Sequence, residues 1–341
     1  MQTDTVRLVQ LFHPEKGRRV ALVQEPDLIF LSATQSVYDL ALTAVQENKN
    51  LIDLIQIRLS AEHIGYDTIY QGANSWKLLP AFDHPAGPLG CMVSGTGLTH
   101  KNSALNRQMM HQASESKLTD SMQMYQWGLA GGWPVAGAIG VQPEWFYKGN
   151  GSVLKAHGQA LTVPAFADDG GEEPEIAGVY LIDEHGQPWR IGFTTGNEFS
   201  DHVMEKKNYL YLAPSKLRDC AIGPELVIDA TFADLAGKVQ ILRNRTEIWS
   251  KNIRTGEQNM AHSLQNLEYH HFKYPGHRVP GQAHVHFFGA DAFSFGEQVQ
   301  LQAGDKMAIQ WAGLGRALIN PLEVIAAKED LIGVKPMTAQ K

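Results

Sequence analysis

From residue 6 to 33 apolar and polar positions alternate, in "RLVQLF", "RRVALVQ" and "LIFLS", with turn residues between them. Period-two alternation predicts a short β-meander. The next stretch, "SVYDLALTAVQENKNLIDLIQIRL", has apolar residues at helical spacing and Ser36 at an N-cap position, which predicts one or two helices. Residues 78–90, "LLPAFDHPAGPLG", hold three prolines and two glycines and read as a linker. The expected division is a small N-terminal α/β domain over 1–85 and a larger unit over 86–341. After "GTGLTH" comes a polar, Met-rich run, read as a helix or a lid over 107–127. From Val135 onward short apolar strands alternate with Gly, Pro and Asp turns, a spacing that suits a sandwich or a closed barrel. The expected class is α+β and β-rich, without internal repeats or low-complexity segments.

Composition narrows the partners. The chain has 341 residues, 43% of them apolar and 19% charged, as in an ordinary globular protein. A net charge of -7 and the lack of a Lys/Arg run argue against nucleic acid. Two distant cysteines, Cys91 and Cys220, make no disulfide framework and suit a reducing compartment. No apolar run reaches the ~20 residues of a spanning helix, and "MQTDTVRLVQLF" lacks a basic-then-apolar leader, so no membrane partner and a cytoplasmic home are expected.

Several groups of residues are candidates for chemistry. In "EEPEIAGVYLI" two carboxylates, Glu173 and Glu175, stand two residues apart at the start of an apolar run. On a strand both point the same way, and like charges side by side need a positive partner. A solvated strand entrance beside the Gly-rich turn is the plain alternative. Glu198, after Asn197 at the end of another strand-like run, supplies a third carboxylate. Three hard oxygen donors suit Mg²⁺ or Mn²⁺ at ~2.1 Å. Lys216 lies in "SKLRDC" ahead of a Gly-Pro turn, a loop where most lysines are solvated. His284 and His286 form an H-x-H pair on one strand face, half of a possible metal site, but no nearby Glu completes it, which favours a structural or substrate-contact role. The adjacent His270 and His271 are a weaker signal. His100 and Arg107, in "SGTGLTHKNSALNR", are candidates for proton transfer and for carboxylate or hydroxyl recognition.

In order along the chain, "PEWFYKGNGSVLKAHGQALTVP", "EPEIAGVYLI", "GFTTGNEFSD", "SKLRDCAIGPEL", "LQAGDKMAIQW" and "GLGRALINPLEV" resemble the fumarylacetoacetate hydrolase superfamily over residues 90–325. "SVYDLA" and "LLPAFDHP" look like the leading domain of its sugar-acid branch, which includes 2-keto-3-deoxy-pentonate dehydratases. The resemblance implies a mixed β-barrel or β-roll catalytic domain. It makes Glu173, Glu175 and Glu198 ligands of Mg²⁺ (or Mn²⁺), with Glu198 where the family usually has Asp. It makes Lys216 a catalytic residue that also touches the substrate. Lying in the segment where that family puts its lid chemistry, His100 is the candidate acid or base and Arg107 a candidate contact for distal hydroxyls, with Asn197 and Gly289 the other expected substrate contacts. Lys148 and Gly149 fall in a family segment near the site, with no direct role assigned. A homodimer acting on a small 2-keto acid is usual in that family.

Two departures matter. The lid dyad His-x-x-Glu, which activates water in many of the hydrolases, is replaced here by Ser103 and Asn106. The family's late Gly-Thr reads Gly289-Ala290. Both favour dehydration of a 2-keto-3-deoxy-pentonate to 2-ketoglutarate semialdehyde, through an enolate that a metal stabilises, over hydrolysis of a carbon–carbon bond in a 2,4-diketo acid. A cupin-like oxygenase built on His284 and His286 and a non-catalytic sugar-acid binder are the readings from other classes.

Overall fold

The computed structural model describes residues 5–111, 118–327 and 329–337. The chain opens with β1 (Val6–His13), β2 (Gly17–Gln24) and β3 (Asp27–Leu31), then α1 (Val37–Gln46), α2 (Leu51–Arg58), β4 (Leu59–Gly65), α3 (Tyr66–Tyr70) and β5 (Lys77–Leu78). The middle holds β6 (Cys91–Gly95), α4 (Lys101–His111), α5 (Asp120–Gly131), β7 (Phe146–Asn150), β8 (Leu154–Lys155) and β9 (Leu161–Val163). Next come β10 (Pro174–Ile182), β11 (Pro188–Asn197), α6 (His202–Lys207), α7 (Leu212–Lys216), β12 (Cys220–Ile228), β13 (Leu235–Arg243) and β14 (Thr246–Thr255). The last elements are α8 (Leu264–Phe272), β15 (Ala283–Phe287), β16 (Lys306–Trp311) and β17 (Leu318–Val324).

The predicted N-cap is present: Ser36 Oγ accepts from Asp39 N at 3.0 Å, and Asn50 caps α2 in the same way. Replacing such a cap costs about 1 kcal/mol. One face of α1, Val37, Leu40, Ala41 and Ala44, is buried against the sheet, as helical spacing demands.

The larger sheet has the order β4-β3-β2-β1-β12-β11-β10-β15-β6-β7, and the second runs β14-β13-β16-β17-β9. The fold is mixed and sheet-rich, as expected. Among the described residues both sheets are open, ending in edge strands, so neither closes on itself as a barrel. The sheet also runs across the expected linker: β1 pairs antiparallel with β12, Val6 opposite Ile228 and Leu8 opposite Leu226.

Strand β10 is buried along its whole length. Ala177, Val179 and Leu181 face the cluster covered by α1 and α2. Ile176, Tyr180 and Ile182 face a second cluster shared with β13, β16 and α8. With both faces covered, the strand reads as a continuous apolar run without alternation. Its neighbours hold the start of this strand in place, and the charged residues gather there.

Candidate functional site

Antiparallel pairing of β10 with β11 places Pro174 opposite Asn197 and Glu175 opposite Gly196. The ladder continues one step past the strands, where Glu198 N donates to Glu173 O at 3.0 Å. Alternation puts Glu173 and Glu175 on one side of β10, and the register brings Glu198 beside them. One carboxylate oxygen from each of the three lies within 4.8 Å of the others, and all three residues are buried. Two ligands of a single ion at ~2.1 Å stand about 3 to 4.2 Å apart, so a small adjustment closes the group.

Positive charge enters from two lysines. Lys216, at the end of α7, is 1% exposed and donates to Glu173 Oε1 at 2.5 Å, Glu198 Oε2 at 2.7 Å and Ser200 Oγ at 2.9 Å. Lys148, on β7, lies 2.7 Å from Glu198 Oε1, but its hydrogen bonds go to the carbonyls of Glu198 and Phe199. Glu198 Oε1 therefore gains a nearby charge yet accepts no hydrogen bond. Arg107, on α4, donates to both oxygens of Glu144 at 2.9 and 3.2 Å and to Glu205 at 3.3 Å. Glu205 stands 3.4 Å from Lys216.

The charges do not balance. Among the described residues Glu144, Glu173, Glu175, Glu198 and Glu205 formally outnumber Arg107, Lys148 and Lys216 by two, and His202, 3.2 Å from Glu173 Oε1 with its pKa raised by that carboxylate against burial, offsets part of the difference. Glu175 bears most of this. Among the described residues it has no ammonium partner, and its one donor is Gly289 N at 2.6 Å. Burial, followed by repulsion from Glu198 and Glu173, pushes its carboxyl well above the usual carboxylate range. Glu173 goes the other way: although burial opposes it, Lys216 and His202 hold it well below that range. The same acids hold Lys216 firmly protonated against the penalty of burial. Three converging hard carboxylates that their lysine and arginine neighbours do not fully neutralise fit a divalent cation of the Mg²⁺ type.

A cleft opens beside this group, lined by Gly97, Leu98, Ser103, Arg107, Glu173, Glu205, Lys216, Gly289, Ala290 and Phe293. Its free volume of about 10 Å³ is room for roughly one water. A far larger open groove of about 990 Å³ runs along β1 to β3, but its arginines are already paired, Arg7 with Glu225 and Arg316 with Glu25 and Asp67.

Of the residues singled out from sequence, Glu173, Glu175, Glu198, Lys216, Arg107 and Gly289 meet at this site. Gly289 has φ +96°, and a Cβ there would come 2.1 Å from Thr99 Oγ1, so only glycine gives Glu175 its N–H. Two others need correction. His100 is buried away from the cleft lining, with Nδ1 2.9 Å from Thr99 Oγ1 and Nε2 3.0 Å from Thr255 Oγ1. Burial lowers its pKa to about 4, and a threonine hydroxyl stands at each ring nitrogen. Asn197 turns from the cleft and accepts from Glu173 N at 3.2 Å, so it braces the strand end instead of touching a ligand. Ser103 lines the cleft; the Asn106 side chain lies outside the described residues, as does 112–117 within the expected lid.

His284 and His286 are structural. His286 is bracketed by Ser94 Oγ and Thr96 Oγ1, each at 2.8 Å, and His284 Nδ1 lies 3.0 Å from His271 Nε2. Glu144, Lys148, His202 and Glu205 were not assigned site roles from sequence. Only Lys148 left a trace: it shares the inward face of β7 with Phe146, an odd place for an unpaired lysine.

No protein-family model matches the chain. A protein of Haloferax volcanii described as a probable 2-keto-3-deoxyxylonate dehydratase is 28% identical over 179 residues, 51% of this chain and 58% of that relative. The match thus spans little more than half the relative's length. Among solved structures, 2-keto-3-deoxy-D-arabinonate dehydratase in its apo form aligns with TM-score 0.69 at 19% identity, over 94% of this chain and all of that one. The same enzyme complexed with magnesium and 2,5-dioxopentanoate gives 0.68 at 19%, over 95% and 100%. 5-Carboxymethyl-2-hydroxymuconate delta-isomerase from Mycobacterium smegmatis gives 0.57 at 16%, over 94% and 100%. The chain has the fold of these keto-acid dehydratases and isomerases. Within that class its nearer likeness is to the 2-keto-3-deoxy-D-arabinonate dehydratase, not to the isomerase.

Proposed function

We propose that this protein is a hydro-lyase that dehydrates a 2-keto-3-deoxy-pentonate to 2-ketoglutarate semialdehyde with the help of Mg²⁺ or Mn²⁺. The carrying observation is the convergence of Glu173, Glu175 and Glu198 beside a cleft that also holds Lys216 and Arg107. The three glutamates would hold the ion. When bound, it supplies Lewis-acid polarisation of a 2-keto oxygen, which acidifies the hydrogens at C3.

The chain's own residues do the remainder. Lys216 sets a fixed positive charge against the acid end of the substrate. Arg107, clamped by Glu144 and Glu205, stands on the cleft wall where distal hydroxyls would lie. Leu98 and Phe293 keep bulk water out. With His100 away from the cleft lining, Glu205 is the carboxylate placed to take the C3 proton and Lys216, 3.4 Å from it, the ammonium placed to give one to the departing C4 hydroxyl. Ser103 on the cleft wall, in place of a water-activating His, supports dehydration over carbon–carbon hydrolysis.

A cytoplasmic homodimer, with 1–85 as a small leading domain, completes the reading; light scattering on the purified chain tests the dimer. The activity test is a panel of 2-keto-3-deoxy acids and 2,4-diketo acids incubated with protein and Mg²⁺. Semialdehyde formation is the expected result. Pyruvate release would favour the hydrolase, and no product from any of them would overturn both.

A further inference from the structure

The site's supports extend one residue beyond those with an assigned role. His202, at the start of α6, is 1% exposed, and its Nε2 lies 3.2 Å from Glu173 Oε1. Its ring is seated between two phenylalanines. Phe293 stacks on it at 4.7 Å with planes 4° apart, and Phe295 at 5.1 Å and 27°. Gly171 closes the edge, since a Cβ there would come 2.7 Å from His202 Nδ1.

The phenylalanines are themselves fastened. Ser294 N and Oγ, between them in sequence, donate to Glu172 Oε1 and Oε2 at 2.6 and 2.8 Å. Glu172, the carboxylate directly before Glu173, thus anchors the wall that holds the imidazole. Nδ1 of His202 is buried without a hydrogen-bond partner, so Nε2 is the nitrogen that donates. Glu173 Oε1 then receives two donors, His202 and Lys216, while among the described residues Oε2 receives none.

We infer that His202 is a positioning residue: its Nε2–H commits Glu173 Oε1 and so turns Oε2 toward a divalent cation. The inference rests on the metal-dependent reading above. Partners that orient a metal ligand in this way typically change metal affinity about 10- to 100-fold when removed.

The test is a Mn²⁺ titration of the full chain followed by EPR, with thermal melting of each variant alongside. His202→Phe keeps the stacked shape and loses the donor. His202→Gln keeps a donor near the reach of Nε2, whereas His202→Asn places its amide nearer Nδ1, out of reach of Glu173. Expected are a 10- to 100-fold weaker Mn²⁺ affinity for His202→Phe and His202→Asn, and an affinity within a few-fold of wild type for His202→Gln. Should His202→Phe fail to fold, the Asn and Gln pair carries the comparison. Equal affinity in wild type and His202→Asn would overturn the inference and leave the metal reading standing. An equal fall in the Gln and Asn variants would also overturn it, because the ring's packing and not its donor would then matter. A wild-type protein that binds no Mn²⁺ would overturn the metal reading and this inference with it.

Discussion

Strands β10 and β15 are hydrogen-bonded neighbours, and each carries a pair of polar residues two positions apart. On β10 the pair is Glu173 and Glu175, the first just outside the strand; on β15 it is His284 and His286. As sequence patterns the two are equivalent: same spacing, same kind of strand, same suggestion of a metal. Their surroundings differ. The histidines pack with His271 and His277, with ring centroids 4.3 to 6.2 Å apart, and His286 has a hydroxyl at each nitrogen. Burial lowers the pKa of His284 and of His286 to about 3, so this pair is neutral. The glutamates stand at the strand's end, beside a cleft, with more negative charge than their lysine and arginine partners cancel. Among the described residues His286 is satisfied at both nitrogens and His284 at Nδ1 alone, but neither carries charge; buried neutral groups pack as part of the fold, whereas a buried surplus of charge calls for a ligand.

The contrast is broken most directly at Glu175. Glu175→Gln keeps the volume and the acceptor for Gly289 N–H but removes a charge that no ammonium offsets. Loss of Mg²⁺ support is worth several kcal/mol, so the proposed dehydration should fall by about a thousandfold or more. The metal-free protein should be no less stable than wild type in urea. A variant that keeps its turnover, or one that unfolds, would contradict the account of surplus charge.

Next in size is Lys148→Met. Its ammonium is fully buried against Glu198, and breaking such a pair typically costs about 3–5 kcal/mol. Urea unfolding measures this, and a loss below about 1 kcal/mol would show that the pair is not what holds Glu198 in place.

The smallest effect belongs to the histidine cluster. His286→Leu should cost about 1–3 kcal/mol, by stranding the hydroxyls of Ser94 and Thr96, and should leave Mn²⁺ affinity unchanged. Its pH dependence sharpens the point. The folded pKa values of His284 and His286 are depressed to about 3 from the ordinary 6.5, so the unfolded chain binds more protons between those limits. Stability must therefore decline as pH falls through that window, by up to about 1.4 kcal/mol per pH unit for each histidine. His286→Leu should remove one histidine's share of that slope. A change in metal affinity would instead make the two clusters one functional unit.

Much of this architecture is legible locally. Ser36 and the apolar face of α1 are readable because helix caps and helical periodicity act within a few residues. The three glutamates could be suspected because a strand's alternation places Glu173 and Glu175 on one side. His100 misled for the complementary reason. A histidine in a Gly-rich segment looks available, and nothing near it in the chain announces that Thr255 will occupy its Nε2. Glu144 lies just before β7, far along the chain from His202 and Glu205 on α6, and no local pattern marks the three as a group.

By itself the sequence determined the mixed, sheet-rich class, the helix caps and the side of β10 on which its carboxylates stand, since each follows from steric and hydrogen-bonding rules that span only a few residues. Tertiary structure alone decided that β1 joins β12, that Lys148 and Lys216 reach the glutamates while His100 does not, and that among the described residues no ammonium reaches Glu175. Those outcomes depend on strand register and on burial, which sum contacts over the whole chain and leave no imprint on any one segment.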